Sequence, residues 1–327
     1  MPTLDAWSLP LEALTFTGRQ LHRPECVLAG RDGTLYVSDW RGGVTAIAPD
    51  GAQQSCLART LPDGTPAVQP NGIAIDRDGS FLLANLGDAG GVWRLRRDTT
   101  LEPFCLEVAG QPLPPCNYVL LDEEGAWITV STRHRPRAQA YRPDVADGFI
   151  VRVDRRGARV VADGLGYTNE VQLDASRRRL LVVETFGRRV TSFRIGAGAS
   201  LDEPAAVATF GPGTFPDGLA VDEEGGLWVA SIVSNRVLRV DPDGAVRTLI
   251  QDCDGRRLDE VETAFQEGRM DRPHLDRSLG SRLHNISSLA FSGSDRRTVH
   301  LGCLLSDSLA TFRAPVAGVP PVHWGWA

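Results

Sequence analysis

Six times along this chain the same unit of three short strands returns. Its clearest copy is FPDGLAVDEEGGLWVASIVSNRVLRVDPDG, from Phe215 to Gly244. Apolar and polar residues alternate there, and Gly, Asp and Pro punctuate the ends, a pattern of strands and tight turns rather than helix. Further copies start at Pro24, Pro70, Cys116, Thr168 and His284. Their first strands open at Glu25, Asn71, Asn117, Asn169, Asp217 and Asn285, with spacings of 46, 46, 52, 48 and 68 residues. Repeats of about 40–50 residues, each a small antiparallel sheet, build propeller blades. The expected fold is therefore all-β: a six-bladed β-propeller of four-stranded antiparallel blades. Residues 1–327 form one domain in this reading.

In a propeller the first strand of each blade lines the central channel, so the six opening residues converge on the axis. They are one Glu, one Asp and four Asn. Oxygen-only ligands of this kind suit a hard cation, Ca²⁺ or Mg²⁺, rather than a thiophilic metal. Asn and Asp before Gly are also common turn residues, and Asn71–Gly72 and Asp217–Gly218 fit that reading. Glu25, Asn117 and Asn169 are not followed by Gly, and Glu is a poor turn former. A set placed for the channel accounts for all six.

The rest of the composition narrows the partners. The chain carries 35 basic and 41 acidic residues, and its pI is about 5.6. That balance argues against nucleic acid. The start, MPTLDAWSLPLEALTFTG, lacks a basic segment followed by a long apolar core, so no signal peptide is expected. No run of apolar residues is long enough to span a membrane as a helix. Six cysteines stand without CxxC spacing and read as buried, reduced thiols, which points to the cytoplasm. Strand alternation predicts that Cys26 and Cys116 point away from their neighbours Glu25 and Asn117.

Two insertions depart from the repeat. A long loop in the third blade, Ser131 to Gly148, holds Arg133, His134, Arg135, Arg137 and Arg142. It reads as a basic rim for an anionic substrate, or as a solvated loop paired with Asp144 and Asp147. Residues 251–283 separate blades five and six. Leu258, Val261, Ala264 and Phe265 recur there at helical spacing, and Gly268 stops the helix. Chain direction places this insertion on the channel face as a lid. Either Leu14–Thr17 or the VHW tail is expected to close the ring as the fourth strand of blade six. His284, directly before Asn285, is a weak candidate base.

PECV, CNYVLLDEEGAWITV, TNEVQLD and FPDGLAVDEEGGLWVA make the chain similar to the gluconolactonase and regucalcin (senescence marker protein) family of six-bladed propellers. The similarity runs from about Arg23 to Arg313. It implies one divalent cation in the channel, Ca²⁺ first, with Zn²⁺, Mg²⁺ or Mn²⁺ as alternatives. Glu25, Asn169 and Asp217 would be its ligands, with Asn117 beside them. It implies a metal-dependent lactonase or esterase acting on a small-molecule lactone or ester, with Asp217 and Asn117 catalytic. Asn71, Tyr118, Arg133, His134 and Asn285 are the expected substrate contacts. Paraoxonase and diisopropylfluorophosphatase enzymes resemble the chain in the same Glu/Asn/Asn/Asp set, so phosphotriester hydrolysis is an alternative. A non-enzymatic Ca²⁺-binding propeller is another. Strictosidine-synthase-like proteins share the blades but not the metal set. The chain departs from the sugar-lactonase pattern at Pro115 and Tyr118, where many members carry Arg and Asp. This puts D-glucono-lactone itself in doubt as the substrate.

Overall fold

Strand-forming residues on both faces of a segment call for burial on both faces, and the inner strands obtain it. In the computed structural model, which describes residues 7–61, 64–277 and 280–326, blade five consists of Phe215–Val221, Leu227–Ile232, Arg236–Val240 and Val246–Gln251, hydrogen-bonded in that order. Its second strand is buried throughout, whereas half of the fourth, Val246–Gln251, is exposed. The continuous apolar run LWVASI and the mixed run VRTLIQ are the corresponding sequence signatures. Five further sheets repeat the arrangement, giving six four-stranded antiparallel blades. The first strands of neighbouring blades pack side by side around the ring.

The DEEG turns carry a structural job. Asp222 accepts hydrogen bonds from Trp228 Nε1 (2.9 Å) and from Arg239 Nε (2.7 Å). In blade three Asp122 does the same for Trp127 Nε1 and for both terminal nitrogens of Arg152. Arg152 and Arg239 are buried, so each blade neutralises an internal guanidinium with an acid from its own turn.

The N-terminal segment closes the ring. Thr15–Thr17 pairs antiparallel with Leu309–Arg313 as the outer strand of blade six. The other candidate, the VHW tail, instead makes a short 3₁₀ turn, Val322–Gly325, across the far end of the channel. There His323 Nε2 and Trp324 Nε1 both donate to the Ala29 carbonyl oxygen, at 2.8 and 2.5 Å.

The insertion is folded onto the blades. Gly255–Gln266 is an α-helix capped by the Asp254 carboxylate, and it buries Leu258, Val261, Ala264 and Phe265. Phe265 meets Phe215 edge-on and stacks on Phe186, at centroid distances of 5.2 and 5.8 Å. Glu262 holds the helix in place through Arg188 and the Gly213 amide. Among the described residues no helix is long and apolar enough to cross a membrane.

Candidate active site

All six opening residues are buried: Glu25, Asn71, Asn117, Asn169, Asp217 and Asn285 are each less than a tenth exposed. Asn71, Asn169 and Asp217 sit inside breaks in strand pairing. Register shifts interrupt the first strands of blades two, four, five and six, between Pro70 and Ile73, Thr168 and Val171, Pro216 and Leu219, and Ile286 and Ser288. A bulge adds a residue and re-aims the side chains beside it. Gly72 and Gly218 follow from the same packing and are not turn glycines, since neither has a positive φ. A Cβ on Gly72 would lie 2.4 Å from the Tyr118 ring, and one on Gly218 would lie 2.5 Å from the Ser287 carbonyl oxygen.

Three carboxylates act on one another through their charges in the channel region, one more than the sequence reading assigned. Asp217 is raised well above the usual carboxylate range, first by burial and then by the negative charges of Glu25 and Glu170; nearby Arg23 opposes the shift. Glu170 lies in the blade-four bulge beside Asn169. Its carboxylate accepts from the Leu219 amide (3.0 Å) of the blade-five bulge and from the Ser288 hydroxyl. Burial pushes its pKa up to about 8. Strict alternation would send Glu170 away from Asn169's side. The signal for it was an acid inside an inner strand, in TNEVQLD, with no basic neighbour in sequence.

The carboxamides differ in what they leave open. Asn71 Nδ2 donates to the Asn117 carbonyl oxygen (3.1 Å) and to Asn117 Oδ1 (3.3 Å). Asn71 Oδ1 is buried and has no hydrogen-bond partner among the described residues. Asn169 Nδ2 donates to Thr185 Oγ1 (3.1 Å), so its oxygen is the atom left over. Asn285 is committed at both ends: Oδ1 accepts from the Val233 amide (2.9 Å) and Nδ2 donates to the Leu275 carbonyl oxygen of the insertion. It joins blade five to the insertion.

Below this ring lie Tyr118 and Cys26, which hydrogen-bond each other; Tyr118 is fully buried. Cys26 corrects the expectation from alternation. It reaches the Ser288 hydroxyl and the Ile73 backbone inside the channel, because Glu25 precedes the regular strand, which starts at Val27. Its thiol is raised by burial, as is that of Cys116, which does turn away, into the core between blades two and three.

The blade-three loop stays on the rim. Arg133 is half-exposed and forks onto Asp163, at 2.8 Å on both terminal nitrogens. His134 is also half-exposed, 3.9 Å from Asp147. Arg142 pairs with Asp144. These side chains are paired locally rather than gathered with Glu25, Asp217 and Glu170.

Residues 23–252 match the sequence profile of the SMP-30/Gluconolactonase/LRE-like region. The chain belongs to this family. A gluconolactonase of Xanthomonas campestris superposes with a TM-score of 0.67 at 20% identity, over 92% of this chain and 89% of that one. A calcium-binding regucalcin of Agrobacterium tumefaciens gives 0.63 at 16% identity, over 93% and 95%. These likenesses establish the shared fold. The Arabidopsis thaliana protein STRICTOSIDINE SYNTHASE-LIKE 13 is 26% identical over 200 residues, 61% of this chain and only 38% of that protein.

The residues fit a divalent cation of the kind this family suggests. The donor set is all oxygen, one carboxamide oxygen is buried without a partner, and two carboxylates are crowded around a third. Among the described residues no group of three or more His, Cys, Asp or Glu could hold a metal by itself. A cation here would therefore draw on the carboxamide oxygens as well.

Proposed function

We propose that the chain is a metal-dependent lactonase whose cation is held by Glu25, Asn169 and Asp217. The buried, oxygen-only ring supports this reading most directly, in a chain of gluconolactonase-like sequence. A divalent ion in the ring would supply Lewis acidity for the lactone carbonyl. Asp217 takes a proton from the attacking water. The water oxygen bonds to the acyl carbon, the ring C–O bond breaks, and Asp217 returns the proton to the departing alkoxide. Asn117, whose Oδ1 is taken by Asn71, has Nδ2 left to donate to the substrate carbonyl. The 251–283 insertion, with its helix over blades four and five, is the lid that keeps bulk water out.

The test is to purify the protein, identify its bound metal, and screen lactones with a pH indicator before and after chelation. Lactone opening that stops with chelation and returns with Ca²⁺ is the expected result. Faster turnover of paraoxon than of any lactone would move the assignment to phosphotriester hydrolysis. A bound cation with no ester turned over would make the protein a cation-binding propeller.

A further inference from the structure

Arg23 stands two residues before Glu25 in an unfavourable backbone state. Its φ is +49°, and Pro24 follows it. A non-glycine residue rarely adopts positive φ, and a following proline narrows its choices further. Such strain persists where the surroundings impose it, often at ligand sites. Here its consequence is the placement of one guanidinium. Nε donates to Glu25 Oε2 (2.9 Å), and the group lies 4.5 Å over the Trp40 ring. The Trp40 amide in turn donates to the His22 carbonyl oxygen (2.9 Å), which ties the ring to the same turn. Held by Nε and by stacking, Arg23 keeps its two terminal nitrogens. Neither makes a hydrogen bond among the described residues. Three other arginines near the rim are spent: Arg133 on Asp163, Arg142 on Asp144 and Arg188 on Glu262.

Arg23 borders open space. A hollow of about 500 Å³ lies between blades six and one, lined by Leu21, His22, Arg23, His284, Leu304 and Asp307 among others. Three of these are basic side chains and one is an acid. The helix Gly255–Gln266 covers the mouth over blades four and five, where it packs on Phe186 and Phe215.

We propose that Arg23 is a substrate anchor and that the lactone opened here carries a carboxylate beside its ring. This rests on the lactonase reading and names its substrate class. A guanidinium with both terminal nitrogens free presents two parallel N–H donors, the geometry a carboxylate accepts bidentately. The charge on Arg23, next to Glu25, also offsets the repulsion an anionic substrate would meet from the channel acids.

The test compares two lactones of the same ring, 5-oxotetrahydrofuran-2-carboxylate and γ-valerolactone, in which a methyl group replaces the carboxylate. The native protein should favour the carboxylate by kcat/KM, and Arg23→Gln should cut that preference about ten- to hundredfold. Arg23→Lys, which keeps the charge and loses the fork, should also lower it. An unchanged preference in Arg23→Gln, or a native preference for γ-valerolactone, would overturn the anchor. Should the metal-loaded native protein open neither of these nor any lactone of the wider screen, the lactonase reading fails. Calorimetry with 2-hydroxyglutarate, the ring-opened acid, then decides the anchor without turnover. Binding lost in Arg23→Gln sustains it; equal binding, or none to the native protein, ends it.

Discussion

At the scale of single residues, the site is defined by buried carboxylates with too little opposing charge. Asp217 faces Glu25 and Glu170 with Arg23 against them, and it serves both as cation ligand and as base in the proposed reaction. Asp217→Asn preserves shape and removes that charge. Lactone hydrolysis should fall at least about a hundredfold, with an unchanged circular dichroism spectrum. Native-level turnover in the folded, metal-loaded variant would refute the role. His300 shows a different consequence of burial, away from the channel. It hydrogen-bonds Ser292 Oγ (2.8 Å) and Thr311 Oγ1 (2.9 Å), and desolvation pulls its pKa down to about 4. An unfolded histidine titrates near about 6.5. Between those values the unfolded chain binds a proton that the folded chain refuses. The contribution is thus fully present above about pH 6.5 and is lost as pH falls toward 4, up to about 3 kcal/mol in all. Urea midpoints at pH 7.5 and 4.5 should separate less in His300→Gln than in the native chain. Equal separations would count against this assignment.

Among elements, the bulged first strand and the insertion matter most. The bulges in blades two, four, five and six let consecutive residues such as Asn169 and Glu170 both serve the channel region, where a regular strand would offer one. The insertion helix is bound by an apolar face and by one ion pair, Arg188–Glu262, at 2.5 Å. Phe265 is 1% exposed and lies between Phe186 and Phe215. Phe265→Ala should cost about 3–5 kcal/mol by denaturant melts. As a lid variant it should also shift the ranking of lactones by kcat/KM. A large stability loss with the same ranking would leave the helix a structural brace and not a lid. The helix was readable in advance because its four apolar positions fall on one face and Gly268 marks its end, whereas the Asp254 cap was not read. Its seat over blades four and five was not, because the partners Phe186 and Phe215 come from distant repeats.

For the whole molecule, closure is the governing fact. The ring joins residues almost 300 apart in sequence: Thr17 Oγ1 and Thr311 Oγ1 lie 2.9 Å from each other. Removing residues 1–17 would strip blade six of its outer strand and uncover the surface under Leu14, which is 3% exposed. The expected cost is at least about 3 kcal/mol, with a broader urea transition as blades six and one separate. A truncated chain as stable as the native one would show that the Thr15–Thr17 pairing does little. Cation binding should act on the same global equilibrium. If Glu25, Asn169 and Asp217 hold an ion in the folded chain alone, chelation should lower the melting temperature and added Ca²⁺ should restore it.

Local grammar was enough to reveal the repeat, the blade number and the six channel openings, since alternation and turn chemistry are written in neighbouring residues. It also exposed the acids of the DEEG turns, though not their role as partners of Arg152 and Arg239. Whatever depended on residues from different blades waited for the folded ring. Bulges cancelled the alternation rule and brought in Glu170, and the late start of the regular strand, at Val27, turned Cys26 inward. Asp147 and Asp163 held Arg133 and His134 at the rim. The N-terminal strand, not the C-terminal tail, took the outer place in blade six. The physical reason is common to all of these: a strand's period is set by its own backbone, whereas the aim of a bulged side chain and the partner of a charge are set by neighbours that sequence order does not name.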